Sequence, residues 1–212
     1  MVLRAEGESF SAGLDRAMFS RDAAGVDGEP GLTQLAALDD QALDAAIAGF
    51  QEAFTWWRDP RVVSIAAVQG HAVGAGFQLA MACDLRVVAD DAQLSMREPS
   101  LGLVPDLAGT KPLVELVGYA RALEICTTGR WVGAEEAVAT GLASLAVRRE
   151  ELDQAARDLA AAVLSAPAGA VRATKELLQG AAGRTHAEQQ AAERLAQAGR
   201  LRELAGPGAA RS

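Results

Sequence analysis

Cysteine and histidine are scarce in this sequence, and their scarcity excludes several classes of site. The 212 residues include two cysteines and two histidines, and aromatic residues make up 4%. Cys83 and Cys126 are too few, and too apolar in context, to form a disulfide framework or a metal centre. A Gly-x-Ser-x-Gly motif is also missing, so a hydrolase with a nucleophilic serine is not indicated. We therefore predict no metal site.

Positive charge and long apolar stretches are also in short supply. Twenty Lys and Arg residues stand against 28 Asp and Glu residues, which gives a net charge of −8. Nucleic acids and anionic membranes bind concentrated positive surfaces, so neither is expected as a partner. No apolar run approaches the roughly 20 residues of a membrane span, and the first six residues contain no apolar leader. These features predict a soluble cytoplasmic protein.

The chain does contain enough apolar residues, 50% of the total, to form a buried core. Strand-like and helix-like segments alternate over its first two thirds, which predicts an α/β fold with a helical C-terminal portion. We expect one domain over residues 1–204 and a flexible tail over residues 205–212. Residues 21–31 are rich in Gly, Asp and Pro and are predicted to form a mobile loop.

Apolar periodicity and turn residues place the individual elements. Val2 and Leu3 are typical of the end of a strand, and a long helix is predicted from Thr33 to Arg58, ended by Pro60. The other predicted strands cover residues 62–68, 84–89, 93–96 and 144–147. The other predicted helices cover residues 77–83, 111–117, 119–128, 134–140, 150–165, 168–179 and 185–204.

Two short segments share a design that favours binding of a polarised oxygen. In Phe10-Ser-Ala-Gly-Leu-Asp15, small residues allow a sharp turn that leaves the amide of Leu14 free to point outward. In Val73-Gly-Ala-Gly-Phe77, a buried strand meets a helix N-terminus, whose first amides have no acceptor inside the helix. If the two turns meet in space, their amides form a two-donor oxyanion hole.

Taken alone, each glycine cluster is better explained by tight packing between a strand and a helix than by an anion site. A dinucleotide-binding turn is not indicated, because Leu79 stands where the third glycine of that motif is expected. A phosphate-binding loop is not indicated either, since no Lys-Ser or Lys-Thr follows the glycines.

Three motifs in order give the chain a clear family resemblance. They are the segment 10–15, the segment Ile65-Ala-Ala-Val-Gln-Gly-His-Ala-Val-Gly-Ala-Gly-Phe-Gln-Leu-Ala-Met-Ala-Cys-Asp84, and Glu98-Pro-Ser-Leu-Gly-Leu-Val-Pro-Asp106. At this spacing the sequence resembles the enoyl-CoA hydratase/isomerase (crotonase) family over about residues 2 to 204. The resemblance implies a spiral of ββα units that assembles as a trimer or a dimer of trimers.

The resemblance also implies the ligand and its site. An acyl-CoA thioester is expected as substrate, with coenzyme A as part of it and no separate cofactor. The amides of Leu14 and Ala75 are expected to hold the thioester oxygen. Further substrate contacts are expected from the neighbouring residues Ala12, Asp15, Arg16, Gly74 and Gln78. For Asp15, a role in shaping its own turn is the more plausible alternative, and Arg16 is placed where it could meet a phosphate of coenzyme A.

One departure from the family pattern affects the predicted chemistry. Hydratases of this family carry two glutamates; the second matches Glu98, but the first falls on Gln78. An amide cannot exchange a proton near neutral pH, so hydration by two carboxylates is doubtful. Asp106 stands where some family isomerases place a carboxylate base, and with Glu98 it could move a proton between carbons. The alternative is that Glu98 caps a turn and Asp106 starts a helix.

Three hypotheses about function therefore stay open. The first is an acyl-CoA enzyme that isomerises or hydrates an unsaturated acyl chain. The second is an acyl-CoA binding protein without catalysis, and the third is a truncated subunit of a mixed oligomer. The last is motivated by family segments expected before Met1 and after Leu204, which this chain does not contain.

Overall fold

The computed structural model describes residues 1–19 and 31–205. Residues 20–30 and 206–212, on which most of the predicted loop and nearly all of the predicted tail fall, lie outside this description. The strands are β1 Val2–Leu3, β2 Ile65–Val68, β3 His71–Val73, β4 Leu85–Ala89, β5 Gln93–Ser95, β6 Val132–Gly133 and β7 Leu145–Val147. The α-helices are α1 Leu32–Ala36, α2 Asp40–Thr55, α3 Ala75–Ala82, α4 Thr110–Val117, α5 Tyr119–Thr128, α6 Ala134–Ala139, α7 Leu152–Leu164, α8 Ala168–Ala181 and α9 His186–Ala205.

The strands form two sheets, and the four strands from β2 to β5 alternate between them. One sheet has the order β1-β2-β4-β7 with parallel pairing throughout. The other has the order β3-β5-β6, in which β3 and β5 are parallel and β6 is antiparallel. The pairs β2-β3 and β4-β5 thus each contribute one strand to each sheet before the chain enters a helix. This repetition confirms the predicted α/β architecture with a helical C-terminal portion.

The core between the sheets holds α3, the helix that begins at the second glycine turn. Phe77 and Met81 of α3 are fully buried, and they belong to one apolar cluster with Val68, Leu94 and Val132 from the strands. Because α3 packs against residues of both sheets, its N-terminus is held in a fixed position. No helix within the described ranges is long and apolar enough to cross a membrane.

The prediction of one helix over residues 33–58 is wrong, because the chain breaks between α1 and α2. Asp39 interrupts the helix: its Oδ1 accepts a hydrogen bond from the amide of Ala42 at 2.8 Å and caps α2. A short acidic side chain at this position competes for the backbone amides that a continuous helix would use. The helical periodicity on either side is correct, but the local capping interaction decides the boundary.

A buried ion pair explains why the predicted strand 62–68 starts only at residue 65. Lys175 of α8 is 8% exposed, and its Nζ donates to Asp84 Oδ2 at 2.7 Å and to the carbonyl oxygens of Asp59 and Val62 at 2.8 and 2.5 Å. The same Asp84 oxygen accepts the amide of Ser64 at 2.8 Å. These bonds divert the backbone from sheet pairing and attach α8 to the strand region.

This network predicts a large loss of stability on removal of the lysine charge. In Lys175→Met, the apolar stem is kept, but Asp84 is left without its cation and two carbonyls without a donor. We expect the free energy of unfolding, measured by urea denaturation, to fall by about 3–5 kcal/mol. Lys111→Met is the matched control, since Lys111 is exposed and pairs with Glu115 on the surface of α4. The control should change stability by less than about 1 kcal/mol; equal losses in both variants would contradict the assignment.

Candidate active site

Two turns that are about 60 residues apart in sequence lie side by side. The backbone of residues 10–11 runs along β3 and the residues before it. The amide of Phe10 donates to the Gln69 carbonyl at 2.8 Å, that of Ser11 to the His71 carbonyl at 2.9 Å, and that of Val73 to the Ser11 carbonyl at 3.0 Å. These bonds fix the register between the segments, so the residues that follow each of them also come together.

Glycine is required where the turns touch. Gly13 has φ +91°, and a Cβ built on it would lie 2.7 Å from the carbonyl oxygen of Val73. A Cβ on Gly76 would lie 2.5 Å from Cβ of Ser11. Real side chains do not approach this closely, so the backbones of the two turns are in direct contact.

Leu14 and Ala75 come directly after Gly13 and Gly74 in the chain. Both residues line one cavity of about 570 Å³. Ala75 is the first residue of α3, so its amide has no acceptor within the helix. In the described part of the chain, neither amide donates a hydrogen bond to another group. The predicted meeting of the two turns is thus present. Ala12 and Gly74, also predicted to contact substrate, line the same cavity.

Glu98 adds a carboxyl group to this cavity. It begins a short 3-10 helix, Glu98–Leu101, and is only 9% exposed. The carboxyl group lies against Gly74, where a Cβ would be 3.3 Å from Oε1 and 3.6 Å from Oε2. Oε1 accepts a hydrogen bond from Gln78 Nε2 at 2.7 Å. Oε2 is buried and has no hydrogen-bond partner among the described residues.

Gln78 lies behind Glu98 and does not line the cavity. Its side chain has no exposed surface. Gln78 Oε1 accepts the amides of Leu107 and Gly109 at 2.9 and 3.3 Å. In this structure the residue contacts the carboxyl group of Glu98, and its predicted contact with substrate stays a prediction.

The side chains of Asp106 and Asp15, two other predicted polar residues, are not part of the cavity wall. Asp106 is half-buried in the loop before α4; its carbonyl oxygen accepts Gln51 Nε2 at 2.6 Å, but its side chain is not part of the cavity wall. Helix α4 begins at Thr110, so Asp106 does not start it. Asp15 Oδ1 accepts the amide of Ala17 at 2.8 Å, which agrees with the turn-shaping alternative. The side chain of Arg16 lies outside the described part of the chain.

Sequence reasoning missed several residues of the cavity wall, namely Arg97, Ser100, Leu101 and Leu103. Leu101 and Leu103 are 57% and 36% exposed and supply an apolar surface beside Glu98. Their position results from the 3-10 helix, which Pro99 at its first turn favours. The Glu98-Pro99 dipeptide is the sequence signal for these wall residues, because proline favours the first turn of a short helix and the residues after it are then exposed.

Burial favours the thiol form of both cysteines. It raises the pKa of the Cys83 thiol to about 11. Burial, together with the nearby charge of Glu98, also raises the pKa of Cys126. His71 contacts Ser9 and the ring of Trp131 rather than the cavity. Over the described ranges, no group of three or more His, Cys, Asp or Glu side chains is arranged to hold a metal ion.

Comparison with known proteins places this geometry in a family. A family model described as enoyl-CoA hydratase/isomerase matches residues 1–199. A Thermobifida fusca YX protein named as an enoyl-CoA hydratase, solved in complex with acetoacetyl-CoA, is 54% identical with a TM-score of 0.90, over 96% of this chain and 78% of that one. This match confirms the expected crotonase fold.

Curated relatives match over shorter stretches. "Probable enoyl-CoA hydratase" of Bacillus subtilis is 36% identical over 76% of this chain and 57% of its own length. Carnitinyl-CoA dehydratase of Escherichia coli K12 is 42% identical over 53% of this chain and 43% of its own length. The chain thus spans about half the length of these relatives. By the family model, which covers nearly the whole sequence, the chain belongs to the enoyl-CoA hydratase/isomerase family.

Proposed function

We propose that this chain binds an acyl-CoA thioester in the cavity beside Leu14 and Ala75 and transfers a proton on an unsaturated acyl chain. The observation that carries the proposal is the joint position of two amides without acceptors and one buried carboxyl group on the same cavity. The complex of the Thermobifida fusca relative with acetoacetyl-CoA supports this class of ligand.

In the proposed mechanism the thioester oxygen accepts hydrogen bonds from the Leu14 and Ala75 amides. When a proton leaves the acyl carbon, the C–H electron pair moves toward the carbonyl and negative charge develops on this oxygen. The two amides and the N-terminal dipole of α3 stabilise that charge. Glu98 takes the proton and returns it to another carbon, which moves the double bond. The apolar wall at Leu101 and Leu103 is suited to the acyl chain.

Isomerisation is favoured over hydration by the state of Gln78. Both hydrogen-bonding ends of its amide are occupied, by Glu98 and by the amides of Leu107 and Gly109. As an amide, Gln78 also offers no carboxylate to activate water. Glu98 carries the proton transfer in this proposal, because the side chain of Asp106, the second predicted carboxylate, is not part of the cavity wall.

A second candidate is acyl-CoA binding without catalysis, and the occupied amide of Gln78 is the observation that favours it. In that case calorimetry would detect binding of acyl-CoA while 2-enoyl-CoA and 3-enoyl-CoA stay unconverted. Gln78→Glu separates the candidates further, since a gain of hydratase activity would mean that only the acid/base group is missing.

Removal of the Glu98 proton acceptor is the direct test of the catalytic proposal. In Glu98→Gln we expect turnover of 3-enoyl-CoA to fall by a factor of about 10²–10⁴, with binding of coenzyme A thioesters retained. Asp106→Asn, assayed in parallel, tests the second carboxylate. Glu52→Gln on the exposed face of α2 is the control and should keep full activity. Undiminished turnover in Glu98→Gln would exclude the carboxylate assignment.

Displacement of one turn tests the proposed oxyanion hole. In Gly13→Ala the new methyl group would meet the Val73 carbonyl, so the turns must separate. We expect kcat to fall by about 10²-fold or more, the cost of losing one such donor. Gly7→Ala is the matched control, because Gly7 also has positive φ (+84°) but nothing lies within 4 Å of its Cβ position. Equal kcat values in the two variants would argue against this role of the turns.

We also propose self-assembly into a trimer or a dimer of trimers. Leucines on α7, α8 and α9 support it, because Leu164, Leu178 and Leu195 are 81%, 69% and 75% exposed. Burial of such side chains between subunits would be favourable. Light scattering should therefore give a mass of about three or six times 22.0 kDa. A monomer at micromolar concentration would contradict this proposal.

A further inference from the structure

The amide of Gln78 has a single possible orientation, which is fixed by its neighbours. Its Oε1 faces two backbone amides, those of Leu107 and Gly109, and amides only donate. The oxygen must therefore face this loop, so the NH₂ group must face Glu98. The N–H of Gln78 then donates to Glu98 Oε1 at 2.7 Å, and Oε1 is an acceptor in this bond.

The loop that holds Gln78 has an unusual conformation. Ala108 has φ +60° and is the one residue other than glycine with positive φ in the described ranges. A left-handed conformation is unfavourable for alanine. Between Leu107 and Gly109 it turns both flanking amides toward the same oxygen. A Cβ on Gly109 would lie 2.8 Å from Cγ of Gln78, so loop and side chain are closely fitted.

The bond from Gln78 makes the two oxygens of Glu98 unequal. Oε1 is bonded, whereas Oε2 is buried and has no hydrogen-bond partner within residues 1–19 and 31–205. A buried carboxyl oxygen gains free energy when it acquires a hydrogen-bond donor. Two side chains near this carboxyl group, those of Arg97 and Cys126, do not donate to it. Arg97 is stacked on the ring of Trp131 at 4.8 Å, and the Cys126 thiol makes no hydrogen bond with it.

We infer that Gln78 is a positioning residue that fixes the Glu98 carboxyl group so that Oε2 is the atom exchanging the proton with substrate. The inference rests on the proposed function. In each turnover the acyl C–H proton passes to Oε2 while the C–H electron pair enters the enolate; the proton then returns from Oε2 to a different carbon. Gln78 keeps its own protons throughout, since it only orients the carboxyl group.

The test compares kcat and KM of Gln78→Met with those of the unaltered protein for the conversion of 3-enoyl-CoA to 2-enoyl-CoA. Methionine has a similar length but makes neither hydrogen bond. We expect kcat for isomerisation to fall by about 10-fold or more, because Oε2 is no longer held in place. KM should stay within about two-fold, since Gln78 is not part of the cavity wall.

A matched control separates positioning from general stability. Gln69 is also buried, and its Nε2 donates to the carbonyl oxygens of Ala5 and Gly7 at 2.9 and 3.3 Å. Gln69→Met should therefore lower the melting temperature about as much, with kcat unchanged. If Gln78→Met keeps kcat, or loses no more than Gln69→Met, the inference is overturned.

Gln78→Glu covers the case in which Gln78→Met does not fold. Its carboxyl oxygen still accepts the loop amides, and one proton shared with Glu98 preserves the bridge at low pH. At high pH both carboxyl groups ionise and repel, so kcat should fall by about 10-fold or more between pH 6 and 9 relative to the unaltered protein. A profile that parallels the unaltered protein would overturn the inference.

Glu98→Gln in the same assay separates a failure of the positioning role of Gln78 from a failure of the proposed function. If it abolishes isomerisation of 3-enoyl-CoA while Gln78→Met does not affect kcat, the positioning role fails and the proposed function stands. If Glu98→Gln leaves isomerisation intact, the proposed function fails, and the inference that rests on it fails too.

Discussion

The backbone contact between the turn at Gly13 and the turn at Gly74 is the constraint on which the rest of the site depends. Neither turn makes an oxygen-binding site alone, because one free amide provides one donor. The hydrogen bonds of residues 10–11 with residues 69–73 hold the segments in register, and Gly13 allows them to touch. The burial of α3 between the sheets then prevents the second amide from shifting. In the proposed site the fold would supply a preorganised pair of donors, which is how backbone dipoles are most effective in stabilising charge.

A neutral partner for Glu98 has an electrostatic advantage in such a buried site. A second carboxylate at the position of Gln78 would repel Glu98 unless the two groups shared a proton. The amide of Gln78 donates a hydrogen bond to Oε1 without adding a charge. In the proposed mechanism Glu98 can therefore act as a single base. This arrangement suits transfer of one proton back and forth better than the activation of water by two carboxylates.

Much of this fold and part of the site follow from local sequence patterns. The boundaries of α4 to α9 agree with the apolar periodicity to within about two residues, and the glycine motifs correctly place Leu14 and Ala75 at turns. The short strands β3 and β6 were not predicted, because β3 lies between Gly70 and Gly74 and β6 ends at Gly133, and glycine is typical of turns. Asp39 changed the predicted helix boundary by capping α2. Lys175 changed the predicted start of β2 through its buried ion pair with Asp84, a contact between residues distant in sequence.

The relation between Gln78 and Glu98 illustrates what the sequence could not provide. The substitution of a glutamate by Gln78 was visible, but its meaning depended on the loop 107–109, about 30 residues away, which orients the amide. Asp106 showed the opposite case, in which a suitable residue type at a suitable spacing does not reach the cavity wall. Spacing along a chain fixes where a backbone passes, whereas side-chain direction is decided by the partners that the fold brings to it.

In the proposed site, backbone amides bind the thioester oxygen and side chains contact the acyl chain. This division has a consequence for substrate specificity. In the proposed site Leu14 and Ala75 act through their amides, so their side chains are free to vary as long as the glycines beside them allow the turns to meet. Under that proposal, discrimination between acyl chains comes from the wall formed by the 3-10 helix and the residues after it, with Leu101 and Leu103 exposed beside the carboxyl group of Glu98. Because Glu98 begins the same short helix, a change in this wall that alters chain preference would also move the proposed base. The hydrogen bond from Gln78 would counteract that coupling, since it reaches Glu98 from the core side, independently of the wall.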